Sequence, residues 1–191
     1  MNQKTEQKQK SHDAILASAA SLLRKQGIRA SSVMDVMKGA GLTVGGFYGH
    51  FDSKEQLFAQ AIGNPAGSIW ARLLSTAKGA TSHEKVVSVL GRYLSRTHRD
   101  NAQNGCLLPS TAHEVASEGE PYRSALEKKL STYADSLSQL LGEGQRTRAL
   151  GLIALMYGGL SLARAVAGTP LSDEFLKAAK ALGERSLEPR G

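Results

Sequence analysis

The stretch SVMDVMKGAGLTVGGFYGHFDSKEQLF, residues 32–58, reads as two short helices joined by a tight turn, with a third helix beginning on its own cap. Ser32 and Asp35 make a capping-box pattern, a hydroxyl at the N-cap and a carboxylate three residues on. Val33, Val36 and Met37 then share one helical face. Gly39-Ala40-Gly41 ends that helix, because glycine takes the left-handed conformation at little cost. Leu42 can plug the corner, and Thr43 can cap the next helix, 44–50. This second helix holds Gly45, Gly46 and Gly49, each of which costs about 1 kcal/mol against alanine in a helix interior. Stability does not ask for them. Close approach to another surface does.

Two short helices around a glycine turn form the helix-turn-helix arrangement, whose second helix enters the DNA major groove. Phe47 and Phe51 stand four residues apart and can anchor that helix. Tyr48, with Thr43 and His50 near the two ends, can reach phosphates. Lys54 opens the following helix near the path of a DNA backbone.

The run G-x-T-x-G-x-F-Y-x-H-F-x-S-K-E-x-L specifies many positions at once and closely resembles the DNA-binding segment of the TetR family of transcriptional regulators. The resemblance is specific over roughly residues 10–60. It implies an all-α homodimer of about nine helices. Residues 1–62 would be the DNA-binding domain and 63–191 an effector-binding and dimerisation domain. It further implies repression relieved by a small molecule. Carried over, Ser32 meets a phosphate, Thr43, Val44, Gly45 and Gly46 face base edges, and Tyr48, His50 and Lys54 hold the backbone. Glycines at 45 and 49 leave few side chains to read bases, so backbone and shape readout carry more of the recognition. A two-fold dimer presents two recognition helices about 34–36 Å apart.

Around this motif the chain reads as helical throughout. Of its 191 residues, 41% are hydrophobic and 21% charged, with only five prolines. The net charge is +7, which suits a polyanionic partner. The first 55 residues hold eight Lys/Arg against five Asp/Glu, so charge alone does not locate the partner's site. One cysteine, Cys106, excludes an intrachain disulfide and fits a reducing compartment. No signal peptide or membrane span is visible, and a cytoplasmic location is expected.

Residues 1–9 are polar and expected to be disordered until a partner orders them, with Lys4, Lys8 and Lys10 as a flexible arm. The first helix is expected at 11–26. A helix beginning at Asp52 or Ser53 should break at Gly63-Asn64-Pro65, a candidate hinge, and resume through Ile69 and Trp70 to Gly79. Val86 to Leu94 form the next stripe, whose end carries the basic Arg96, His98 and Arg99. Predicted helices follow near 106–116 and from Tyr122 to Leu140. The segment 145–167 is apolar nearly all round and needs cover on every side. With 172–182 it is the expected dimer seam. The tail from Glu184 is expected to fray.

The effector pocket is expected among Trp70, Tyr93, Cys106, Leu107, His113, Tyr133 and Met156, which suit a small, partly apolar ligand. His98, His113 and Glu114 read as solvated or pocket-lining, since no pair has metal-ligand spacing. No nucleophile motif, phosphate loop or dinucleotide fingerprint is present, so neither enzyme activity nor a cofactor is expected. Two alternatives stand beside this reading. Gly105-Cys106-Leu107-Leu108 opens a helix, where the dipole favours a reactive thiolate, so Cys106 can be the sensor of a redox- or electrophile-sensing repressor. The other alternative is an all-α carrier or enzyme whose N-terminal helices bind no DNA.

Overall fold

The computed structural model describes residues 3–64 and 68–188. Its elements in order are α1 (Gln3–Gln26), α2 (Val33–Gly39), a 3-10 segment (Val44–Gly49), α3 (Lys54–Gly63), α4 (Ile69–Ser75), α5 (Ser82–Tyr93) and α6 (Arg96–Asp100). After a 3-10 turn (Ala102–Asn104) come α7 (Leu108–Glu118), α8 (Tyr122–Leu141), α9 (Arg146–Ala165) and α10 (Pro170–Leu187). No strand occurs among the described residues, as the composition led us to expect. No helix among them is long and apolar enough to cross a membrane.

The chain forms two compact units, each built from two stretches of sequence. One is Met1–Gly67 with Cys106–Lys129. The other is Ser68–Gly105 with Leu130–Gly191, so the division falls inside α8. In the first unit α1 packs on α2, α3 and α7. Ile15 and Leu23 of α1 are buried, as are Val36 and Met37 of α2, Phe47 and Phe51, and Leu57, Phe58 and Ile62 of α3. In the second unit α10 lies along α9 and α5, with α4 against α5 and α6 against α9. Its core is Val86, Val89, Leu90 and Tyr93 with Leu137, Met156, Leu160 and Leu176.

Local chemistry sets most helix starts. Ser32 Oγ accepts the Asp35 N–H at 3.1 Å, and Ser53 Oγ accepts the Gln56 N–H at 3.1 Å. Gln56 Oε1 reaches back to the Asp52 N–H at 2.7 Å. Thr81 and Glu84 make a full reciprocal box at the start of α5. Each cap satisfies donors that a helix N-terminus otherwise leaves open.

Several expectations change. α1 begins at Gln3, so residues 3–9 are helical rather than disordered. They are rich in Lys, Gln and Glu, which are good helix formers, and Gln9 Nε2 donates to Asp13 Oδ1 at 2.9 Å. The basic end expected on α5 is a separate helix, because α5 stops at Tyr93 and Ser95 caps α6 by accepting the His98 N–H. α10 runs to Leu187, past the expected fraying point, since Gly183 and Leu187 are buried. α3 ends at Gly63 as expected. Pro65, the hinge residue, lies outside the described residues.

Candidate functional site

The turn between α2 and the 3-10 segment is closed by two backbone bonds. Leu42 N–H donates to Met37 O at 2.9 Å, and Gly41 N–H donates to Lys38 O at 3.1 Å. Gly41 has φ +71°, the left-handed value this motif places after a helix. Val44–Gly49 then forms a 3-10 helix rather than the expected α-helix, and Thr43 makes no side-chain cap. Three glycines in six residues lower α propensity, and 3-10 geometry is the usual form of such short pieces.

This segment has one buried face and one bare face. Phe47 and Phe51 are 2% and 1% exposed, with ring centroids 6.0 Å apart. Opposite them Tyr48 is 78% exposed and Val44 48%. A Cβ added at Gly45 or Gly49 would meet nothing within 4 Å. At Gly46 the nearest atoms, on Met37 and Thr43, stand at ordinary contact distance. The protein's own packing therefore does not require any of these glycines.

The flanking groups are polar or basic. Ser32 caps α2 and also donates its hydroxyl to Asp35 Oδ2 at 2.6 Å. Lys54, in the first turn of α3, sits 5.3 Å from the centroid of the Phe58 ring. His50 is half-buried, and its Nδ1 is enclosed without a hydrogen-bond partner. Burial, then the neighbouring His12 and Lys8, lower its pKa. His12 stacks on Phe51 at 4.6 Å. Lys4, Lys8, His12, Gly49 and His50 line an open recess of about 530 Å³. The expected lysine arm is thus helical, and it borders the end of the 3-10 segment.

The expected effector residues are divided between the two compact units. Trp70, Tyr93, Tyr133 and Met156 are buried in the second compact unit, while Cys106, Leu107 and His113 belong to the first. Trp70 stacks on Tyr133 with centroids 4.7 Å apart, and Tyr133 Oη lies 3.2 Å from Ser68 Oγ. Trp70 Nε1 is buried with no hydrogen-bond partner. His113 is exposed on α7. Its neighbour Glu114 is buried, where solvation or pocket lining was expected. His98 is buried too, edge-on to Tyr93 at 4.6 Å. Cys106 is a buried thiol, in no disulfide, two residues before α7. In the same unit, burial lowers the Lys129 pKa to about 8, opposed by Cys106 and aided by Arg24. Among the described residues no group of three or more His, Cys, Asp or Glu could hold a metal ion.

Comparison with known proteins places this geometry. A family profile described as "Bacterial regulatory proteins, tetR family" matches residues 15–61, and a "Tetracyclin repressor-like, C-terminal domain" profile matches 82–178. The HTH-type transcriptional repressor NemR of Escherichia coli K12 is 24% identical over 152 residues, covering 78% of this chain and 75% of NemR. An uncharacterised HTH-type regulator of Lactococcus lactis is 28% identical over 162 residues, covering 78% of this chain and 81% of its own. The crystal structure of reduced E. coli NemR superposes with a TM-score of 0.76 at 23% identity, covering 92% of this chain and 95% of that one. A regulator from Cytophaga hutchinsonii gives 0.79 at 20% identity, covering 97% and 98%.

Proposed function

Because this chain belongs to the TetR family of bacterial regulatory proteins, we propose that it is a homodimeric repressor released from its operator by a small-molecule effector. Members of the family are transcriptional regulators, not enzymes, so the carrier-or-enzyme alternative falls with the family assignment. The observation that carries the DNA-binding half is the 3-10 segment. Its aromatic side is anchored by Phe47 and Phe51, while its outer side is bare at three glycines and presents Tyr48. A backbone without side chains can lie against a groove floor. In this reading Thr43, Val44, Gly45 and Gly46 face the bases, and Ser32, Tyr48, His50 and Lys54 hold phosphates. The recess bordered by Lys4 and Lys8 adds a further phosphate position.

The functional division is at 62/63, with effector binding and dimerisation carried by 63–191. α9 and α10 are the dimer seam. Leu150, Ala154 and Leu162 of α9 are exposed along one side, together with Gly151, and Leu171 and Leu182 of α10 are also exposed. A second copy would cover them. The effector centre is Trp70 with Tyr133, since the orphaned indole N–H of Trp70 offers a donor to a ligand acceptor. Selection from random duplex DNA tests the whole. It should enrich an inverted repeat whose half-sites lie about one helical turn apart, with salt-sensitive binding. Failure to enrich any sequence would overturn the reading.

A second reading concerns the signal. Cys106 stands just before α7, electrostatically coupled to the buried Lys129. NemR, whose reduced form has been solved as such, shares the fold. Oxidation or alkylation of the Cys106 thiol would then replace reversible effector binding. Cys106→Ser protein that still leaves DNA on oxidant treatment would dispose of this version and leave the first intact.

A further inference from the structure

The second compact unit holds a cavity of about 380 Å³ bordered by α4, α5 and α6. Its floor includes the buried Ile69 and Leu73, and its charged residues are Arg72 and Arg92. No Asp or Glu lines it.

The two arginines of α6 are handled differently. Arg96 pairs with Asp173, and Arg99 pairs with Asp100 and Asp173 at 2.7 and 2.8 Å. Among the described residues neither Arg72 nor Arg92 has such an ion pair. What they have is neutral scaffolding. Arg92 Nη1 donates to Thr76 O at 3.1 Å and to Thr76 Oγ1 at 2.6 Å. The same Thr76 hydroxyl donates to the Arg72 carbonyl at 2.6 Å. Arg72 Nη2 donates to Asn104 O at 3.4 Å. Carbonyl and hydroxyl oxygens position a guanidinium without neutralising it. Each guanidinium carries five N–H donors, and these bonds engage one nitrogen of each. Two cations without a carboxylate partner border one recess, which favours an anion there.

His98, at the same cavity, adds no positive charge near neutral pH. Its Nδ1 lies 2.8 Å from Tyr93 O, an atom that only accepts, so Nδ1 carries a proton. Burial lowers its pKa to about 4 against that bond, and Arg164 and Arg72 push in the same direction as burial. The net field of the recess is therefore set by its arginines.

We propose that this cavity binds a small organic carboxylate, with Arg72 and Arg92 holding its oxygens and Ile69 and Leu73 packing its apolar body. Paired guanidinium donors match carboxylate geometry. The volume suits a ligand of small-molecule size. The proposal rests on the reading of 63–191 as an effector-binding domain and names the chemical class of one ligand.

Calorimetric titration of the intact protein with sodium benzoate, at fixed ionic strength, tests it. Benzoate should bind saturably and benzamide should not. The Arg72→Gln/Arg92→Gln double variant should lose about tenfold or more in affinity, while Arg96→Gln, outside the cavity, should keep it. Circular dichroism and melting of the double variant separate lost binding from lost folding. Equal binding of benzamide, or undiminished benzoate binding by a folded double variant, would overturn the proposal. Inorganic phosphate binding as tightly as benzoate would overturn the assignment to an organic acid. Operator release is measured separately by fluorescence anisotropy. A neutral compound that releases DNA while benzoate fails to bind removes this site and leaves the repressor reading standing. Benzoate binding to a protein that recognises no DNA does the reverse.

Discussion

The carboxylate of Glu114 on α7 accepts the backbone N–H groups of Ile28 and Arg29, which lie 86 and 85 residues earlier. Ile28 follows the end of α1 and is itself buried. Ser110 Oγ donates to Leu23 O at 2.8 Å, and Arg29 pairs with Glu118 at 2.7 Å. The segment that starts at Cys106 is thus stitched to the end of α1 by side chains bonding to backbone and by one ion pair.

Removing Glu114 strands two backbone donors, one of them in a buried residue. Glu114→Ala should destabilise the protein by roughly 1–3 kcal/mol, and Glu114→Gln by less, as read from urea unfolding. Gly27→Ala should act on the same contact. Gly27 has φ +80°, and a Cβ there would clash with Glu114 Oε2. Strain and clash add, so a loss above about 1 kcal/mol is expected. Unchanged midpoints for both variants would show that the contact contributes nothing.

The bare glycines separate stability from recognition. Gly45→Ala and Gly49→Ala meet open space and should raise stability by up to about 1 kcal/mol each. The same substitutions should weaken operator binding, because in the proposed complex each methyl would stand where the backbone approaches DNA. Thermal melts and anisotropy titrations on one preparation check both signs. Improved melting with unchanged DNA affinity would place the DNA elsewhere.

His98 gives the fold an acid-sensitive point. Its folded pKa, about 4, lies below the ordinary histidine value of 6.5. The unfolded chain therefore binds the proton more readily. The stabilisation is fully present above pH 6.5 and is lost as pH falls through the window down to about 4. Over that window the loss is of order 3 kcal/mol for this group. Arg164 and Arg72 oppose protonation after burial, and the Tyr93 carbonyl favours it. His98→Asn should flatten stability between pH 7 and 5 in urea titrations. An equally steep variant would assign the slope to other groups.

The exposed side of α9 predicts association. Ala154 is exposed between Leu150 and Leu162. Ala154→Arg should shift the protein from dimer to monomer in sedimentation at micromolar concentration while leaving its helical signal intact. A wild-type monomer under the same conditions would remove the seam altogether.

What was legible in the sequence was local. Ser32 with Asp35 and Ser53 with Gln56 sit within one helical turn of each other, and their caps could be read directly. Phe47 and Phe51 declared the anchored side by spacing alone. Glu114 could not be read, because its partners are 86 and 85 positions away and it looked like one more helix carboxylate. The split at Ser95 was masked because the basic Arg96, His98 and Arg99 read as the end of α5. The 3-10 geometry of 44–49 was written in its glycines, yet periodicity cannot separate six residues of one helix type from another. Arg72 and Arg92 are twenty residues apart, and only packing of α4 on α5 brings them to one recess.

The empty positions at Gly45 and Gly49 also bear on descent. A duplicated copy of such a gene can acquire a larger residue at either place without repacking its interior. Each such step changes what the outer side of Val44–Gly49 offers a duplex and leaves Phe47 and Phe51 untouched. Divergence of regulons among paralogues therefore has a route open here that demands no compensating change in the core.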